Sequence, residues 1–199
     1  MATARRPEAL ADFEVAGSLL LDVHSDESVA TVRREVGPVD LPVNNAGWGV
    51  EGPNEEVPLD EVRRAMETDY FGAARMIQAF LPGMRDQGSG VIANVTSIAG
   101  VVSPGSCRRH RADALRPPRT PWKRSRRRST SNVVTWGIRV QIVEPGGVDT
   151  EFGADMAGFR RRPGPYSASA SQWNGAMESL RGDQASLAPD VVATATCDA

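Results

Sequence analysis

The chain has 199 residues, enough for one domain with a sizeable buried core. Its hydrophobic content of 40%, charged content of 24% and formal net charge of -2 are ordinary for a globular protein and argue against an obligate nucleic-acid or membrane partner. Cys107 and Cys197 are too few for a disulfide framework or a zinc site. No apolar segment is long enough to span a bilayer, and no signal peptide follows Met1, so the expected compartment is the cytoplasm.

The first half of the sequence alternates between strand and helix patterns. The short apolar run 18–23 predicts a strand, and the polar residues 25–28 offer N-cap chemistry for a helix carrying Val29, Val32 and Val36. A second short apolar run, 39–43, ends in the polar loop Asn44-Asn45-Ala46-Gly47. This order predicts two strands joined by a helix.

The middle of the chain continues the alternation. Apolar residues recur at three- and four-residue spacing over 59–84, which predicts a long amphipathic helix. Residues 91–95 and 139–143 are short runs rich in branched side chains, typical of buried strands. Strands that alternate with helices predict a parallel sheet, and therefore an α/β fold. The C-terminal tail, 160–199, is predicted to be loop-rich, with a loop at 160–171 and a weak helix at 172–180.

Three motifs follow strands in order: Asn44-Asn45-Ala46-Gly47, Asn94-Val95-Thr96-Ser97, and Pro145 through Thr150. They are joined by a helix ending in Glu67-Thr68-Asp69-Tyr70-Phe71-Gly72. In this combination the chain resembles the short-chain dehydrogenase/reductase family over residues 1–103 and 133–153. The resemblance implies a single domain, 1–199, with a Rossmann-like doubly wound parallel sheet.

The resemblance also implies a dinucleotide site, because ligands of open parallel sheets bind across the carboxyl ends of the strands. Asp22 matches a family aspartate near the adenine, with a helix-capping acid as the alternative. Arg5 matches a position where a basic residue pairs with the 2′-phosphate of NADP, with a solvated terminal arginine as the alternative; NAD is the second cofactor considered. The implied cofactor-binding residues are Arg5, Asp22, Asn44, Asn45, Ala46, Gly47, Pro145, Gly146, Val148 and Thr150.

Two positions match the catalytic machinery of the family. Ser97 corresponds to the serine whose hydroxyl binds the oxygen of an alcohol or carbonyl substrate while hydride moves at the neighbouring carbon; Thr96 is the weaker candidate. Asp69 replaces an asparagine that supports a proton relay. The implied function is NAD(P)-dependent oxidation or reduction of an alcohol/carbonyl pair, with no metal.

The sequence departs from the family in two places. The family opens with a strand and a glycine-rich turn that holds the pyrophosphate, whereas residues 1–5 here already match the second strand, which indicates an N-terminal truncation and a gap in the sheet. The family also uses a Tyr-x-x-x-Lys pair as its acid/base. Neither Tyr70 nor Tyr166 has a lysine four residues on, and Lys123 is the only lysine in the chain.

Residues 107–132 are rich in arginine and proline where the family has the helix of that pair. Between Arg108 and Arg128 lie ten basic residues and one acid, Asp113. Codons read two bases later can spell Lys-His-Ala-Val-Glu-x-x-Ser-Glu-Ala-Leu, which matches the family helix and indicates an internal frameshift. Arginine-rich runs also bind nucleic acid through phosphates, but Trp122 is the only aromatic residue here, so no nucleic-acid partner is predicted.

A second function remains open from the sequence alone. A relative without catalysis could still pair with other subunits through the helix at 59–84, a common oligomer surface in the family. The expected partners are accordingly a small alcohol or carbonyl substrate and a second copy of the chain. Dinucleotide affinity and turnover distinguish the two functions.

Overall fold

The computed structural model describes residues 1–51, 55–97, 133–150, 152, 157–158, 165, 167–168, 171 and 186–197. The whole of the predicted disrupted segment, 107–132, lies outside these residues, as does the helix predicted at 172–180. Most of the predicted loop at 160–171 lies outside them too. The frameshift and the loop at 160–171 therefore stay predictions.

The N-terminal part forms a small parallel sheet followed by a helix. Strand β1 (Ala2–Ala4) pairs in parallel with β2 (Ser18–Leu20), and a short 3-10 helix (Pro7–Leu10) lies between them in sequence. Helix α1 (Asp26–Val36) follows, capped by the Ser25 hydroxyl, which accepts a hydrogen bond from the Ser28 N–H at 3.2 Å. The predicted helix and its N-cap are confirmed, while the predicted strand 18–23 is shorter.

A second parallel sheet forms the centre of the molecule. Its strand order is β3 (Val43–Asn44), β5 (Gly90–Val95) and β6 (Ile138–Val143), with a short 3-10 helix (Val134–Trp136) before β6. Strands β5 and β6 pair over six residues, from Gly90 opposite Ile138 to Val95 opposite Val143. The predicted strands at 91–95 and 139–143 are confirmed, each beginning one residue earlier.

A long helical segment crosses from β3 to β5. It consists of α2 (Leu59–Met66), a π-helical turn (Glu67–Gly72) and α3 (Ala73–Gln87), which ends at Gly88 in the left-handed conformation. The predicted amphipathic helix at 59–84 is confirmed, although the sequence pattern did not indicate the π-turn. Such wide turns inside α-helices are rare and are often found at functional sites.

Two apolar clusters hold the helices against the sheets. Where α1 and α3 meet the residues after β2, the buried side chains are Leu21, Val29, Val32 and Phe80. Where α3 covers the central sheet, they are Met84, Ile92, Val133 and Ile138. Full burial of a large apolar side chain contributes roughly 1.5–3 kcal/mol, so each cluster fixes its helix firmly.

Two short strand pairs and a helix complete the described structure. Strand β4 (Val50–Glu51) pairs with β8 (Ala157–Gly158), and β7 (Gly147–Val148) pairs with β9 (Ser186–Leu187), both in parallel. Helix α4 (Pro189–Cys197) follows within the tail that the sequence analysis treated as loop-rich. In the described part of the chain no helix is both long and apolar enough to cross a membrane.

The fold class is α/β with parallel strands and helical crossovers, as predicted. Among the described residues, β1–β2 and β3–β5–β6 are separate sheets with no strand pairing between them. Contacts between the two sheets therefore depend on helices α1 and α3 and on the π-turn.

Candidate functional site

The site begins at the carboxyl ends of β3 and β5, where two asparagines face each other. Asn44 and Asn94 are register partners, and the Asn44 Nδ2 donates a hydrogen bond to the Asn94 Oδ1 at 2.8 Å. Asn94 is 3% exposed, and its Nδ2 is buried with no hydrogen-bond acceptor among the described residues. A buried donor left without an acceptor is unfavourable by about 1–3 kcal/mol, so this amide suits a ligand oxygen.

These asparagines open onto a cavity of about 10 Å³, enough for one water molecule. Its lining residues come from both strand ends and from the helical segment: Asn44, Ala46, Asp69, Ala73, Asn94, Val95 and Thr96. Asp69 reaches it from the π-turn, and its Oδ1 accepts a hydrogen bond from the Trp48 backbone N–H at 2.7 Å. The structure thus places the predicted residues Asn44, Ala46 and Asp69 together.

Thr96 and Ser97 follow β5 directly. The Thr96 N–H and hydroxyl both donate to the Val143 carbonyl, at 2.7 and 3.1 Å, and extend the pairing of β5 with β6. The Thr96 hydroxyl therefore stabilises the sheet. This assignment leaves Ser97, which is half-buried, as the candidate for binding a substrate oxygen.

Asp22 lies after β2, at the other half of the predicted site. Its Oδ1 accepts a hydrogen bond from the His24 N–H at 3.0 Å, and its own N–H donates to the Ser28 hydroxyl at 2.9 Å. Because Ser25 caps α1, Asp22 is not the N-cap of that helix, and the helix-capping alternative is wrong.

The other predicted cofactor residues do not line this cavity. Arg5 is exposed just after β1, and Asn45 is exposed beside Asn44. Gly47 is half-buried in the same loop. In the region 145–150, Pro145 is half-buried, Gly146 and Thr150 are exposed, and Val148 pairs with Leu187. These positions stay predictions.

Sequence reasoning missed the contacts that join the loop after Asp22 to the helical segment that carries Asp69. The Arg75 guanidinium bonds to Glu67 and Asp26, and the hydrogen bond to Glu67, partly opposed by desolvation, raises the pKa of Arg75 above its ordinary value. His24 is half-buried, and its Nε2 lies 2.7 Å from the Thr68 hydroxyl. His24 and Thr68 are 44 residues apart in sequence, and Arg75 and Asp26 are 49 apart, so no local pattern reveals these two pairs.

Comparison with known proteins agrees with the geometry. The profile of the short chain dehydrogenase family matches residues 18–107. A short-chain dehydrogenase from Streptomyces avermitilis is 31% identical, with a TM-score of 0.77 over 97% of this chain and 71% of that chain. Retinol dehydrogenase 8 from Homo sapiens is 35% identical over 136 residues. A serine dehydrogenase complexed with NADP+ is 21% identical and shares the fold, with a TM-score of 0.72 over 98% of this chain and 75% of that one.

The chain therefore belongs to the short-chain dehydrogenase family, whose members are oxidoreductases with a Rossmann-like α/β fold. It covers only part of its curated relatives. The match to the retinol dehydrogenase includes 66% of this chain and 41% of that enzyme.

Proposed function

We propose that the chain binds a nicotinamide dinucleotide, NADP in preference to NAD, and that its site serves hydride transfer between an alcohol and a carbonyl. The observation that carries the proposal is the cavity at the ends of β3 and β5, where Asn44, Asp69, Asn94 and Thr96 meet. Ligands of open parallel sheets bind at this edge. The NADP+ in the serine dehydrogenase of the same fold supports the choice of cofactor.

The chemistry of the side chains fits such a cofactor. The buried Nδ2 of Asn94 needs an acceptor, and the ribose and carboxamide groups of a dinucleotide carry acceptor oxygens. Asp22, half-buried after β2, offers a carboxylate that can accept from a ribose hydroxyl. The exposed guanidinium of Arg5 can pair with a 2′-phosphate, which favours NADP over NAD.

The roles of the remaining residues follow from their positions. The bound cofactor would supply or accept the hydride, and Ser97 would donate a hydrogen bond to the substrate oxygen. A tyrosine with a lysine four residues later is absent from the sequence, so the usual proton donor of the family is missing. We therefore propose that the chain retains cofactor and substrate contacts but turns over very slowly.

A subunit contact through the helical segment is a further part of the proposal. Leu59 and Phe71 are 66% and 46% exposed, although they are large and apolar. Such side chains on one helical segment suit a contact with a second copy of the chain.

Two substitutions of opposite charge test the cavity. Asn94→Asp keeps the acceptor for Asn44 but replaces the orphan donor with a carboxylate, so we expect it to weaken NADPH binding by about tenfold or more. Asp69→Asn keeps an acceptor for Trp48 and removes a negative charge, so we expect binding to strengthen. NADPH titrations followed by NMR measure the dissociation constants of both variants and of the unaltered chain. Equal effects of the two substitutions would place the dinucleotide elsewhere.

Turnover tests the catalytic part. We expect no measurable ketone-dependent NADPH oxidation by the chain itself, since neither of its two tyrosines has a lysine four residues on to assist proton transfer. In a chain that contains the family's glycine-rich turn, activity should appear when the shifted reading frame over 114–132 is restored together with a tyrosine four residues before the restored lysine. Ser97→Ala in that variant should lower turnover steeply. Ser97-dependent turnover by the unaltered chain would contradict the proposal.

A further inference from the structure

The two halves of the candidate site lie on different sheets. Asp22 follows β2, whereas Asn44 and Asn94 end β3 and β5, and no strand pairing joins these two sheets among the described residues. The spacing between the halves must therefore be set by the helices and by side-chain contacts.

Arg75, on the first turn of α3, holds the loop that carries Asp22. Its Nη1 donates to the Val23 carbonyl at 3.1 Å, and its Nε lies 2.5 Å from the Asp26 Oδ1. Its Nη1 also lies 2.6 Å from the Glu67 Oε1 in the π-turn. With its side chain only 25% exposed, one guanidinium thus fixes both ends of the loop 23–26 to the helical segment.

The same loop makes two further contacts with the π-turn. The Thr68 hydroxyl donates its proton to the Arg64 carbonyl at 3.1 Å, so the His24 Nε2 at 2.7 Å must be the donor in their hydrogen bond. Gly72 packs against Val23 so closely that an added Cβ would lie 2.7 Å from the Val23 Cγ2. The loop is therefore held by charge, by hydrogen bonds and by shape.

The π-turn reaches the other half-site through Asp69, which accepts the Trp48 N–H at 2.7 Å and lines the cavity. One helical turn therefore contacts both loops. We propose that Arg75 is a positioning residue that sets the distance between the adenine half and the nicotinamide half of the site. This inference rests on the proposed dinucleotide function, and it assigns to Arg75 a role without contact with the cofactor.

The role of Arg75 is tested by comparing the binding of the whole dinucleotide with the binding of its two halves, called here the half ligands. A dinucleotide is two linked ligands, and linkage helps only while the spacing of the two sites matches. We expect Arg75→Gln to raise the dissociation constant of NADPH by about tenfold or more, while those of adenosine 2′,5′-bisphosphate and nicotinamide mononucleotide stay within about twofold. Arg63→Gln is the matched control, since among the described residues the Arg63 side chain pairs with Asp60 alone, on the exposed side of α2. This substitution should leave all three dissociation constants unchanged. Arg75→Lys keeps the positive charge but loses the planar guanidinium with its several donors. Its dissociation constant for NADPH should therefore lie between those of Arg75→Gln and the unaltered chain.

Hydrogen exchange gives a readout that needs no ligand. In Arg75→Gln we expect the His24 and Trp48 amides, which donate to Asp22 and Asp69, to exchange at least about tenfold faster, with amides within β5 and β6 unchanged. Uniformly faster exchange, or equal losses for whole and half ligands, would show a merely structural role and overturn the inference. If the unaltered chain binds neither half ligand, the proposed dinucleotide function fails. If the His24 and Trp48 amides exchange at the same rate in Arg75→Gln as in the unaltered chain, the positioning role alone is overturned.

Discussion

The central sheet and the N-terminal sheet are stabilised in different ways. Strands β5 and β6 pair over six residues, and Ile92 and Ile138 are 1% and 0% exposed beneath α3. Strands β1 and β2 pair over three residues, and Leu20 is 58% exposed. The nicotinamide half of the proposed site therefore stands on a buried sheet, whereas the adenine half depends on the helices and polar contacts beside it.

The largest effect should come from a cavity in the central sheet. Ile138→Ala removes a fully buried side chain that packs with Met84 and Ile92, and we expect it to lower the free energy of unfolding by about 2–5 kcal/mol. Leu20→Ala, the matched change in β2, should lower it by about 1 kcal/mol or less, since that side chain is mostly exposed. Urea denaturation followed by circular dichroism measures both. Equal losses would remove the distinction between the sheets.

Two glycines with the same backbone conformation lie just before β5 and β6 of the central sheet, and they differ in how closely their surroundings are packed. Gly88 and Gly137 both have φ 71 and ψ 14, but an added Cβ at Gly137 would lie 2.2 Å from the Gly88 carbonyl oxygen, whereas Gly88 has open space. We expect Gly88→Ala to lower the free energy of unfolding by about 1 kcal/mol, because alanine is strained in the left-handed conformation. Gly137→Ala should destabilise by about 2–4 kcal/mol, because a backbone clash is added. Thermal unfolding measures the midpoints of both variants. Equal midpoints would contradict the expected clash at Gly137.

The smallest expected difference concerns the contact between the helical segment and the N-terminal unit. Gly72→Ala would push a methyl group against Val23. Because this clash should outweigh the better helix propensity of alanine, we expect the free energy of unfolding to fall by about 1 kcal/mol. Gly83→Ala meets only the end of the Arg33 side chain, at 3.1 Å, which can move, so it should be neutral or stabilise by up to about 1 kcal/mol. The urea midpoint should therefore fall for Gly72→Ala and stay unchanged or rise for Gly83→Ala, and a shift to higher urea for Gly72→Ala would contradict the tight packing.

The helices were predictable because their signals are local and repeated. The apolar spacing in 59–84 and the serine before Asp26 each report on neighbours within one turn. Strand bounds were harder. The predicted strand at 39–43 appears as Val43–Asn44, because Pro42 has no N–H to donate, although the Asp40 and Pro42 carbonyls still accept hydrogen bonds from β5.

The candidate site was only partly predictable. The motif residues Asn44 and Asp69 were identified, but the pairing of Asn44 with Asn94 depends on strand register, which sequence does not specify at single-residue accuracy. The π-turn was missed because a single wide turn of six residues is too short to change the apolar pattern of the surrounding α-helix. Arg75 resembled any other polar residue on an amphipathic helix, since its partners are in the π-turn and in the distant loop 23–26.

The direction of the hydrogen bond between His24 and Thr68 fixes the tautomer of the ring. Because Nε2 donates to the Thr68 hydroxyl, a ring with one proton carries it on Nε2 and presents Nδ1 as an acceptor. The two ring nitrogens therefore have different tasks: Nε2 ties the loop that carries Asp22 to the helical segment, and Nδ1 can accept a hydrogen bond from a donor on the side of the loop.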